Sequence, residues 1–132
     1  MPILRSPALP AQGLAAADVV ALGDMFELSD ASGVGVSRVE VVAPVGYATV
    51  TGTAAPNNAQ ISVRQLRAGA VVSTFATLVL AAGTNLVAET PVNIPITGAP
   101  LLQQDDVIDV VLHQNGTGLA IGAGLYVIVD VT

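Results

Sequence analysis

At 132 residues the chain has the length of one domain, and ten acidic residues against four arginines and no lysine give it a net charge of −6. Such a surface repels phosphate backbones and lacks the basic, aromatic-bearing patches of nucleic-acid modules, so nucleic acid is not expected as a partner. The absence of cysteine excludes a disulfide framework and a thiolate metal site.

Taken in order, residues 1–17 read as an extended arm, because Pro2, Pro7 and Pro10 exclude helix and favour polyproline II or β geometry. Ile3, Leu4, Leu9 and Leu14 are apolar for an exposed segment, so two readings stand side by side: an arm lying on a neighbouring subunit, or a frayed terminus. The same prolines deny residues 1–20 the unbroken apolar core of a signal peptide. Residues 18–132 form the expected single domain. Residues 18–28 suggest a helical turn and then a strand, and 29–35 carry turn chemistry. Strands are predicted at 38–43 and 47–51, with the loop 54–58 closing that pair. Ile61, Val63 and Gln65 alternate with Ser62, Arg64 and Leu66 up to a turn at Arg67-Ala68-Gly69.

Residues 71–80 form a long strand with apolar residues of both parities, Val72, Leu78 and Leu80 on one side and Val71, Phe75 and Val79 on the other. The uncharged run 68–88 is long enough to cross a bilayer, but its serines, threonines, glycine and asparagine and its β-branched alternation fit a strand, so no membrane span is expected. Val92, Ile94 and Ile96 face inward from a strand that Pro95 marks as an edge. The chain closes with strands at 106–113 and 119–131. Gln114-Asn115-Gly116-Thr117-Gly118 between them reads as a hairpin turn. In the last strand Leu125, Val127, Val129 and Val131 share one face; the preceding strand is apolar on both sides, as a central strand would be. About eight strands separated by turn signals, with a small β-branched core, specify an all-β chain: an antiparallel β-sandwich or jelly roll with an extended N-terminal arm.

Few residues could carry chemistry. His113 is the sole histidine, and Asp109, four residues away on the same strand, is too distant to orient it as a general base. Asp105, Asp106 and Asp109 form the densest acidic cluster, yet the spacing of a calcium loop is missing and a polar start to the strand is the simpler reading. Gly118, Gly122 and Gly124 precede a β-run where a phosphate loop would open a helix, which points to a bulge or bend. Asn115-Gly116-Thr117 matches a glycosylation acceptor, but the turn explains it. With no Gly-x-Ser-x-Gly elbow either, the expectation is a non-enzymatic protein without cofactor or metal. Arg38, Arg64 and Arg67 should each meet a carboxylate, within the subunit or across an interface. A chain so poor in charge and rich in Val, Leu and Ile is expected to homo-oligomerise.

The segment Phe26-Glu27-Leu28-Ser29-Asp30-Ala31-Ser32-Gly33, the strand Ile61-Ser62-Val63-Arg64-Gln65 and the turn Gln114-Asn115-Gly116-Thr117-Gly118-Leu119 with its glycine-spaced final strand resemble the head decoration, or cement, proteins of tailed bacteriophages. That resemblance implies a jelly-roll or β-sandwich subunit on the capsid exterior of the virion. It implies a homotrimer clamping the major capsid protein, with the N-terminal arm reaching across the shell. No contact residue carries over from the resemblance; from their own chemistry Ile3, Leu4, Leu9, Arg38, Arg64 and Arg67 are the expected interface residues. Two other readings share the fold: a carbohydrate- or receptor-binding domain of a phage fibre or surface protein, for which only Tyr47 and Tyr126 could supply aromatic platforms, and a cupin-like enzyme, against which the single histidine argues.

Overall fold

The computed structural model describes residues 3–25 and 33–131 as an all-β chain of nine strands in two packed antiparallel sheets, with no helix among the described residues. The strands are β1 (Ile3–Arg5), β2 (Val19–Met25), β3 (Val34–Val42), β4 (Asn58–Arg67), β5 (Ala70–Val79), β6 (Val92–Asn93), β7 (Leu101–Leu102), β8 (Val107–Asn115) and β9 (Tyr126–Val131). One sheet runs β1-β9-β3-β6, with β7 pairing a second stretch of β3; the other runs β2-β8-β4-β5. This is the expected β-sandwich, with one strand more than the sequence suggests.

Alternation builds the core. Leu125, Val127, Val129 and Val131 are buried, as are Val39 and Val41 of β3, and they meet Ile61 and Val63 of β4 and Ile108, Val110 and Leu112 of β8 from the other sheet. β8 lies between β2 and β4, the central position its two apolar faces predict. In β5 the expected parity fails: Phe75 and Ala76 are both buried while Val71, Val72 and Val79 are exposed. Register shifts against β4, between Val63 and Arg64 and between Gln65 and Leu66, change which side chains turn inward. The β4–β5 turn is as expected, with Ala68 and Gly69 both at positive φ as a two-residue hairpin requires.

Several expectations need correction. Strands β8 and β9 are not a hairpin: they belong to opposite sheets, and residues 116–125 cross between them, tied to the N-terminal segment by the Gln12–Ile121 bridge. The Asn115-Gly116 turn forms, but the stretch after it carries too much glycine to continue as a strand. Residues 47–51 make no second strand; Val50 alone bridges Leu86. Around Leu14 a turn, with Ala15 at positive φ, precedes β2, and no helical turn opens the segment from Asp18. The turn expected at 29–35 lies outside the described residues up to position 32, as does most of the Phe26 to Gly33 segment.

The described part of the leading segment folds onto its own subunit. β1 pairs with β9, opposing Ile3 to Asp130 and Arg5 to Ile128, and the Leu9 amide donates to the Leu125 carbonyl at 2.7 Å. Leu4 and Leu9 are consequently buried in the core. On the opposite seam, the Ile94 amide donates to the Val39 carbonyl of one sheet, while Pro95 accepts from the Thr77 amide and Thr97 donates to the Phe75 carbonyl, both of β5 in the other, so residues 92–97 strap the two sheets together. The edge character of this segment matches its proline.

Candidate functional site

The ionisable side chains collect around the four-stranded sheet. Arg64 on β4 stands opposite Asp109 on β8, and antiparallel register brings them together in a bidentate pair, Nε to Oδ1 at 2.7 Å and Nη2 to Oδ2 at 2.6 Å. Further along β4, Arg67 donates to both oxygens of Asp106 at 2.9 Å. Asp106 is wholly buried and also accepts from Gln65 Nε2 at 2.7 Å and from the Gln103 amide at 2.8 Å. Burial alone would raise the Asp106 carboxyl; the Arg67 guanidinium with the Gln103 and Gln65 donors outweighs it and holds the carboxyl below its ordinary value.

Arg38 pairs instead across the other sheet, with Glu40 at 3.3 Å and Asp130 at 2.7 Å, and its side chain is half exposed. All three arginines expected to find carboxylates thus find them within the subunit. Of the residues expected at an interface, Leu4 and Leu9 lie in the subunit's own core; Arg64 and Arg67 are engaged by Asp109 and Asp106; Arg38 and Ile3 remain at the surface. The acidic cluster does not converge. Asp106 and Asp109 each take their own arginine, and among the described residues no three acidic or histidine side chains come together to hold an ion.

His113 extends from β8 to Asp18, Nδ1 to Oδ1 at 2.7 Å, a partner 95 positions away that its own strand could not supply. The pair borders an open depression of about 310 Å³ on the outer sheet face, lined also by Gln60, Ser62, Arg64, Thr74 and Val111. The Ser62 and Thr77 hydroxyls bond one another at 3.3 Å there. Donors and acceptors are mixed along this lining.

Buried amides carry a second network. Gln12 donates to the Leu112 carbonyl at 2.9 Å and to the Ala17 carbonyl at 3.0 Å, and its own oxygen accepts from Gln114 at 2.9 Å. Gln114 also donates to the Leu119 carbonyl and accepts from the Leu119 amide. Gln65 shares the inward parity of Ile61 and Val63, and Gln114 that of Ile108, Val110 and Leu112; this parity is the signal in the sequence for buried polar anchors. Gln12 has no such signal. Tyr47 donates to the Gly122 carbonyl at 3.2 Å, and burial raises its hydroxyl above the ordinary value.

Comparison with protein-family models, with curated proteins and with solved structures yields no match to this chain.

Proposed function

We propose that this chain is a structural virion protein that decorates and stabilises a bacteriophage capsid from outside, as a homotrimer bound to the major capsid protein, and that it catalyses no reaction. The observation that carries the reading is how the chain uses its few charges. Arg64 and Arg67 are held in bidentate pairs with Asp109 and Asp106 inside the subunit, while Val20, Val45, Val71, Val72, Val87 and Leu101 stay exposed. That balance suits a surface that is covered in assembly. Many modest contacts repeated by a shell's symmetry can stabilise it where one would not. The test is to mix the purified protein with capsids of tailed phages that lack their decoration protein and to image them by electron microscopy. Regular extra density on the shell is expected; bare shells at saturating protein would reject the proposal.

A second reading rests on the depression beside His113. Its mixture of Asp18, Gln60, Ser62, Arg64 and Thr74 could hydrogen-bond a polyhydroxylated ligand, as a carbohydrate- or receptor-binding domain would. Glycan-array binding that is lost in His113→Ala would favour it.

A further inference from the structure

Four segments close one end of the sandwich, residues 9–17, 43–57, 80–91 and 116–125, and Glu89 is the sole charged residue in them. They form one connected surface. Gln12 bridges Ile121, the Gly124 amide donates to the Leu9 carbonyl, Tyr47 bonds Gly122, Val50 bridges Leu86, and the Thr117 amide donates to Asn57 Oδ1 at 3.0 Å. Asn85 Oδ1 accepts from the Gly52 amide at 2.9 Å, and a side chain at Gly52 would run into the Ala81 and Thr84 carbonyls. The loops are therefore fixed in place before any partner arrives. Most of their large apolar side chains turn into the core, but three point outward: Val45 is 78% exposed, Leu14 63% and Val87 42%.

We infer that this neutral end is the surface through which copies of the chain associate, and that the partner it fits is a second copy of the same chain. The inference rests on the homo-oligomer in the proposed function and gives it a location. A chain of net charge −6 repels its own copies wherever its carboxylates face one another. Here, Glu89 apart, two copies can meet without bringing like charges together and without stripping water from ions, the compositional condition of an interface core. Neither sheet face offers this, since one presents Arg38, Glu40 and Asp130 and the other Asp18, Arg64 and His113.

Sedimentation velocity over a concentration series tests it on the full chain. Val45→Asp and Val87→Asp, each at an exposed position, should weaken self-association at least about tenfold, while the urea unfolding midpoint, measured at a dilution where the wild type is monomeric, stays at the wild-type value. Val20→Asp, 53% exposed on the outer face of the four-stranded sheet, should associate like wild type. Leu14→Ser, which adds no charge, gives a further reading should either aspartate variant fold poorly, and it should also weaken association. The inference is overturned by a monomeric wild type, by neutral-end variants that associate normally, or by loss confined to Val20→Asp. Capsid binding is scored separately: association lost in Val45→Asp alongside a wild type that ignores capsids would uphold the surface and reject the capsid role.

Discussion

The two ends of the sandwich satisfy their buried polar groups by different means. At the end where β4 turns into β5 and β8 begins, a buried carboxylate does so: Asp106 gathers the Arg67 guanidinium, the Gln65 amide and the Gln103 backbone amide. At the other end neutral amides take that part: buried Gln12 and Gln114 donate to the Ala17 and Leu119 carbonyls, and the exposed Asn57 and Asn85 accept from the Thr117 and Gly52 amides. An ionic anchor is strong, but it titrates and keeps a charge near its surface. Amide anchors are weaker singly and indifferent to pH, and they leave an end that can be covered without desolvating ions.

The largest effect should come from Asp106→Ala, which strips the shared acceptor from three donors and should cost about 3 kcal/mol in urea unfolding. A loss under about 1 kcal/mol would make the two ends energetically alike. Gln114→Ala should cost about 2 kcal/mol, because it leaves Gln12 and both polar groups of Leu119 without that partner. Its cost should be the same at neutral and mildly acidic pH. The smallest effect is acid sensitivity. The Asp106 carboxyl titrates lower in the folded chain than in the unfolded one, so its contribution is complete above the unfolded carboxylate range, near about pH 4, and is lost as pH falls through the folded value. Stability measured from about pH 6 downward should therefore fall less steeply in Asp106→Asn than in wild type, and parallel curves would remove the ionic end's distinguishing property.

Local patterns are legible in the sequence and long-range pairing is not. The alternation of Leu125, Val127, Val129 and Val131 reports a buried face whichever sheet the strand joins, so it can be read directly. Whether β9 follows β8 in the same sheet is a different question. Asn115-Gly116 permits a turn without choosing the next strand's partner, and β9 finds β1 and β3 from far back along the chain. The pairs Arg64–Asp109 and Arg67–Asp106 are half visible, as arginines in need of carboxylates and as an acidic cluster without an ion. Only the register of β4 on β8 joins the two halves. The leading segment misleads for a related reason. Its prolines do specify an extended path, but an extended path can lie on a neighbour or complete its own sheet, and burial of Leu4 and Leu9 is decided by a groove the local sequence does not describe.

The pairing of Ile3 with Asp130 has a practical consequence. Polypeptide joined before β1 or after β9 leaves the sandwich from neighbouring points, at the end remote from Val45 and Val87. Reporter domains, affinity handles or displayed antigens attached on either side should therefore project together in one direction, leaving the opposite pole clear for docking.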